Sequence, residues 1–187
     1  MATANVRKGL KLDLPSERVD WKKTLEIRSD TPKQTEFILF IAEKMKREKN
    51  FGKTVLAKLM YFSETNYFLK KGTPIAGTVF VKGPFGPIPK NFDELLGSME
   101  KGNLIKIINI KEADKPERKS IFPLREPETK KFSEDELSTI EDVIKRLNMF
   151  SAKQISDYSH TDVAWQWTDP GKEIDYRLTA YREIECM

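Results

Sequence analysis

Residues 58–89 read KLMYFSETNYFLKKGTPIAGTVFVKGPFGPIP and change character halfway along. In the first half, apolar residues recur at helical spacing as far as Tyr67, and Gly72 is a favourable residue for ending a helix. In the second half, TVFV at 78–81 alternates as a strand does, and GPFGPIP follows at 83–89. Because proline fixes the backbone and glycine frees it, we expect this last segment to be a stiff, irregular loop.

Further helices are predicted on both sides of this stretch. Before it, Thr31 is the expected N-cap of a helix, with Pro32 at its first position and Gln34 three residues after the cap. After it, the apolar residues of 92–99 recur at i, i+3, i+4 and i+7, which indicates a short amphipathic helix ended by Gly102.

Two cap signals define the helices of the C-terminal part. Ser133 and Glu136 have capping-box spacing and precede an apolar stripe of helical period. Ser151 is a second N-cap, and Thr161 or Asp162 is expected to open a last turn with two tryptophans. The sequence therefore predicts several separate helices in this region.

The remaining elements complete an α+β fold that is mainly helical. Residues 104–110 and 120–124 flank a charged segment and predict a β-hairpin, with Pro123 confining the second strand to an edge. We expect five or six helices with a small antiparallel sheet or hairpin on one side. Residues 1–30 are expected to form an N-terminal arm, and residues 31–187 a single domain.

The composition of the 187 residues excludes several classes of protein. The chain has one histidine and one cysteine, so it has no internal disulfide and too few ligands for a zinc site based on Cys and His. No apolar run is long enough for a membrane span, and no secretory signal begins the chain. We predict a cytoplasmic protein without catalytic residues, metal or cofactor, and we interpret the basic stretch 44–58 as a solvated helix face rather than a nucleic-acid patch.

Three segments, taken in order and spacing, resemble one family, the Panacea or SocA-like antitoxin domain. They are residues 58–89, 132–147 and 150–165, and the resemblance extends over about 34–168. The N-terminal thirty residues and the tail after Pro170 lie outside it. The matching motif positions are Lys58, Leu59, Tyr61, Phe62, Gly72, Pro74, Ile75, Phe85, Gly86, Pro87, Ser159, His160, Ala164 and Trp165.

The resemblance implies an antitoxin, encoded in a bacterial or phage genome beside a toxin that it neutralises by direct binding. Two alternatives remain. A nucleic-acid-binding transcriptional regulator would use basic residues of the 44–58 stretch, although the helix-turn-helix that some relatives carry is not seen here. An adaptor that delivers a toxin to a protease would use the arm or the tail.

Partner-binding residues can be nominated from residue type and position. Large aromatic and charged side chains dominate protein interfaces, so the candidates are Phe85, His160, Trp167, Lys115 and Arg118. Trp167 lies two positions after Trp165, so a helical turn exposes one of these two rings. The family-motif residues assigned instead to the shared core are Tyr61, Phe62, Pro74, Gly86, Pro87 and Trp165.

Overall fold

The computed structural model describes residues 29–111 and 118–182. Residues 1–28 of the predicted arm, Lys115 and residues 183–187 of the tail therefore lie outside the described residues. The fold class is confirmed, because the described part is mainly helical with two antiparallel strand pairs. In chain order the elements are α1 (Thr31–Met45), α2 (Lys53–Lys71), β1 (Phe80–Gly83), β2 (Gly86–Pro89), α3 (Phe92–Lys101), β3 (Ile105–Ile110), β4 (Arg118–Pro123), α4 (Glu134–Leu147), α5 (Ala152–His160) and α6 (Val163–Gln166), with 3-10 turns at Thr129–Lys131 and Tyr176–Tyr181.

Helices α1 and α2 form the centre of the core. Both are buried on several sides, and their apolar residues pack with those of α4, α5 and both strand pairs in one cluster. The expected cap of α1 was wrong, because the Asp30 carboxylate accepts the Lys33 N–H at 2.9 Å and Thr31 is already helical. Gln34 does not complete a capping box, since its side chain donates to Ser29 Oγ. Helix α1 is instead tied to the segment after β4 by Glu36, a buried carboxylate that pairs with Arg125 at 2.6 Å.

A buried carboxylate shapes the turn between α2 and β1. Glu64 of α2 is fully buried and accepts the backbone N–H groups of Ile75, Ala76 and Thr78 at 2.6, 3.1 and 3.1 Å. Burial raises the pKa of this carboxyl, and the backbone hydrogen bonds oppose that rise. Gly72 ends α2 in the left-handed conformation, as expected.

The proline-rich segment after β1 is a strand rather than an irregular loop, and β1 begins two residues later than expected. Strand β2 pairs antiparallel with β1, opposing Lys82 to Pro87 and Phe80 to Pro89. The backbone groups of Lys82 and Phe80 bond to residues 172 and 174 on the far side of β1. The opposing prolines therefore occupy positions whose nitrogen points away from β1, where a missing N–H breaks no ladder bond.

The remaining local predictions agree with the structure, except that the second strand of the other hairpin, β4, begins at residue 118 rather than at 120. The β3–β4 hairpin forms, with Ile105 opposite Pro123. Ser133 and Ser151 cap α4 and α5 through complete capping boxes, and Asp162 rather than Thr161 caps α6. Within residues 29–111 and 118–182, no helix has the length and hydrophobicity needed to traverse a bilayer.

Candidate partner-binding surface

The β1–β2 hairpin presents Phe85 to solvent at its tip. Pro84 and Phe85 form the two-residue turn between Gly83 and Gly86, and the Phe85 side chain is 71% exposed. Gly86 has a φ of +94°, and a Cβ built on it would lie 2.1 Å from Ser159 Oγ and 2.9 Å from Lys58 Cε. Glycine is thus required both for the backbone conformation and for the close approach of the hairpin to α2 and α5.

A buried lysine holds this hairpin from below. Lys58 of α2 is 2% exposed, and its ammonium donates to the Pro87 carbonyl of β2 at 2.9 Å. Burial lowers the pKa of Lys58 to about 7. Ser159 lies beside it, but the Ser159 hydroxyl is fully buried and already donates to the Ser156 carbonyl at 2.8 Å. The lysine therefore serves as an internal anchor of the hairpin.

Trp165 clamps the neck of the hairpin. Its ring stacks on His160 with centroids 4.2 Å apart, and the Lys82 ammonium lies 4.3 Å from the ring centroid. Its indole N–H donates to the Gly83 carbonyl at 3.3 Å. A side chain that combines ring stacking, a cation–π contact and a hydrogen bond is held in one orientation. The position of the tip is therefore set by α6 as well as by α2.

His160 belongs to this clamp and is half-buried. Burial, with the charge of Lys58 adding to it, lowers the pKa of His160 below its ordinary value. Its Nε2 is buried and has no hydrogen-bond partner among the described residues. The lowered pKa disfavours the charged form of the ring, which is the form that the C-terminal end of a helix stabilises.

A second exposed aromatic site lies just past the clamp. Trp167 is 62% exposed and packs against Tyr181, which is 65% exposed, with ring centroids 5.5 Å apart. We call these two residues the aromatic pair. The tail brings Tyr181 here by running along the outer side of β1, where the Ile174 N–H donates to the Phe80 carbonyl at 2.8 Å.

A buried ion pair fixes the described end of the tail. The side chains of Arg182 and Asp162 are each 2% exposed and meet at 2.5 Å. The guanidinium also donates to Asn66 and Thr65 of α2 at 2.8 Å. Sequence reasoning did not find Arg182 or Tyr181. Arg182 contacts residues of α2 that lie more than a hundred positions away, and Tyr181 contacts Trp167 in another segment. No local sequence pattern signals such pairs.

The sequence-derived partner candidates have different surroundings. Phe85 and Trp167 are exposed, whereas His160 is half-buried in the clamp. Arg118 is half-buried, and its guanidinium donates to the backbone carbonyls of Lys49 and Phe51. Of the motif residues, Tyr61, Phe62, Gly86 and Pro87 are buried, and Pro74 and Trp165 are only half-buried, since they border the turn after α2 and the hairpin neck.

The basic stretch 44–58 is largely engaged within the molecule. Lys44 pairs with Glu141 at 2.6 Å, Lys53 pairs with Asp93 at 2.5 Å, and Lys46 pairs with Glu43. Lys58 is buried. Only part of the stretch therefore projects charge into solvent, which weakens its nomination as a nucleic-acid surface.

Among residues 29–111 and 118–182, no three His, Cys, Asp or Glu side chains converge as metal ligands. Over residues 56–166 the chain matches the family model described as antitoxin SocA-like, Panacea domain. This range contains the hairpin, Lys58 and Trp165, and it ends one residue before Trp167. No curated protein and no solved structure matches the chain.

Proposed function

Because this chain belongs to the SocA-like antitoxin family with the Panacea domain, we propose that it neutralises a cognate toxin by binding it directly. The partner in this proposal is the protein encoded by the adjacent gene, and the complex forms in the cytoplasm. The proposal extends family membership, which covers 56–166, to a mechanism of neutralisation and to specific contact residues.

The observation that carries the proposal is the exposed Phe85 at the tip of an anchored hairpin. The hairpin is anchored by Lys58 and clamped by Trp165, so the backbone that carries the ring is positioned before any partner arrives. Presentation of an aromatic anchor on a rigid element reduces the conformational entropy lost on binding. A partner that covers this ring removes its apolar area from water, which favours binding.

The aromatic pair supplies a second set of contacts. Trp167 and Tyr181 lie beyond the matched range, whereas the buried motif residues lie inside it. We assign the shared scaffold to the matched range and toxin specificity to exposed residues such as these. Tryptophan and tyrosine are enriched among residues that dominate binding energy.

In this proposal the protein has no catalytic role. A serine beside a lysine with a depressed pKa is a known nucleophile arrangement, and Ser159 and Lys58 are the one such neighbouring pair that we identify in the described region. Both are buried, and Gly86 packs directly on them, so a substrate cannot reach the hydroxyl. The arrangement supports the hairpin instead.

Growth rescue tests the proposal. Co-expression of the wild-type chain with the adjacent gene product should restore growth. Phe85→Ala and Trp167→Ala should each reduce rescue, while their free energies of unfolding stay within about 1 kcal/mol of wild type, because both side chains are mainly exposed.

Met149→Ala is the matched control, because Met149 is 75% exposed and, in the turn between α4 and α5, belongs neither to the β1–β2 hairpin nor to the aromatic pair. It should rescue fully. Full rescue by both aromatic variants would remove these residues from the interface. A wild-type chain that neither rescues growth nor co-purifies with the adjacent gene product would overturn the antitoxin proposal.

A further inference from the structure

The β3–β4 hairpin carries three exposed apolar side chains on one face. Ile108 lies opposite Ser120, and Phe122 lies opposite Lys106, so these residues share a face in the antiparallel register. Leu124 continues the same face, because its N–H donates to the Leu104 carbonyl at 2.9 Å. Ile108, Phe122 and Leu124 are 40%, 36% and 48% exposed. Single exposed apolar residues are common, but a group on one face indicates an interaction site.

The segment after α1 adds a basic rim to this face. The Ser120 hydroxyl donates to the Phe51 carbonyl at 3.3 Å, which brings residues 46–51 against the strands. A hollow of about 140 Å³ lies between them, lined in part by Arg47, Lys49 and Phe122. Arg47 and Lys49 are exposed, as is Lys106 on the strand itself. Glu48 is the acidic residue that lines the same hollow.

We define the hairpin face as Ile108, Phe122 and Leu124 with the rim cations Arg47, Lys49 and Lys106. We propose that the hairpin face docks a segment of the toxin that combines apolar anchors with acidic residues. The inference rests on the proposed function and adds a second surface to it, separate from Phe85 and the aromatic pair. The apolar residues of the hairpin face contact the apolar anchors of the toxin segment, and the rim cations attract its carboxylates.

Charge complementarity and the apolar centre together select this occupant. An excess of cations at the rim favours an anionic partner. The residues between the cations are aliphatic and aromatic, and contact with them removes apolar area from water, which a phosphate backbone does not do. Polar donors that would position phosphates are not supplied by Ile108, Phe122 or Leu124. An acidic peptide segment with large apolar side chains satisfies both parts of the face.

Binding of the purified adjacent gene product to purified variants tests this inference. Arg47→Glu/Lys49→Glu should weaken binding at least tenfold at low salt, mainly by slowing association, and should flatten its salt dependence. Phe122→Ser should weaken binding at least tenfold, mainly by faster dissociation. If Phe122→Ser unfolds the protein, Leu124→Lys is used for the same test.

Lys145→Glu/Lys153→Glu is the control, since it makes the same change in net charge on exposed positions of α4 and α5. It should bind with wild-type affinity. If the hairpin-face variants also bind normally while Trp167→Ala does not, the hairpin-face inference is wrong and the proposed function stands. If the wild-type chain does not bind the product at all, both are wrong.

Two further outcomes would assign the hairpin face to another occupant and overturn the inference. A change in oligomeric state of Phe122→Ser, measured by sedimentation without any loss of toxin affinity, would show that a second copy of this chain covers it. Salt-sensitive binding of a 20-base-pair duplex DNA that is lost in Arg47→Glu/Lys49→Glu, with toxin affinity unchanged, would show that it contacts nucleic acid.

Discussion

At Gly86 a backbone requirement and a packing requirement coincide. Its φ of +94° is unfavourable for any residue with a Cβ, and the space that a Cβ would need is occupied by Ser159 and Lys58. At the scale of single residues, the position of Phe85 therefore depends on this glycine and on the lysine beneath it.

Gly86→Ala is expected to lower the free energy of unfolding by about 2 to 4 kcal/mol, because it adds backbone strain and overpacking. Gly97 is the matched control: it lies inside α3, and nothing is within 4 Å of a Cβ placed there. Gly97→Ala should raise stability by about 0.5 to 1 kcal/mol, since alanine favours the helix. Urea unfolding measures both. Equal effects of the two substitutions would contradict the close packing of Gly86 against Ser159 and Lys58.

Lys58 makes stability depend on pH in a defined direction. Its pKa in the folded protein is about 7, below the ordinary value of 10.5, so the unfolded chain binds more protons between these two pH values. The free energy of unfolding should therefore rise with pH in this window, by about 2 kcal/mol from this group between pH 7 and pH 9.

Lys58→Met removes the titrating group and keeps a side chain of similar length. Denaturant unfolding across the same pH range should show that the rise is lost in this variant. An equal pH dependence in wild type and Lys58→Met would show that the ammonium is not desolvated as described.

At the scale of elements, features that depend on short-range sequence patterns could be predicted, whereas features that depend on contacts between distant segments could not. The capping boxes at Ser133 and Ser151 are short-range patterns, and both form. Strand β2 was missed because its prolines argue against a strand, and only the pairing on the other side of β1 shows why they are tolerated. Of the candidate site, Phe85 and Trp167 were nominated from residue type, whereas Tyr181 enters through the fold of the tail.

The tail is the element whose attachment can be tested by substitution. Arg182→Met leaves the Asp162 carboxylate buried without its cation, and we expect a loss of about 3 to 5 kcal/mol in unfolding free energy. Arg182→Met/Asp162→Asn should recover part of this loss, because asparagine removes the charge and still caps α6. Thermal and urea unfolding measure both variants. A loss below about 1 kcal/mol in Arg182→Met would mean that the tail is not held by this pair.

At the scale of the whole molecule, a buried scaffold supports several exposed surfaces. Helices α1 and α2 and the tail pack into one core with the matched range, although α1 and the tail lie outside it. The tip of the β1–β2 hairpin, the aromatic pair and the hairpin face on β3–β4 are each attached to that core through described contacts. Family membership thus accounts for the part of the scaffold within residues 56–166, and in the proposed function the exposed residues account for the choice of toxin.

The central claim is direct, stoichiometric binding of the adjacent gene product. Size-exclusion chromatography with light scattering, at about 10 μM of each purified protein, measures it, because a complex with a dissociation constant below about 1 μM remains largely associated there. We predict a single complex of integer stoichiometry whose formation parallels the loss of toxin activity, and separate elution of the toxin from a folded Phe85→Ala/Trp167→Ala variant. Separate elution of the wild-type chain and a fully active toxin would contradict the claim.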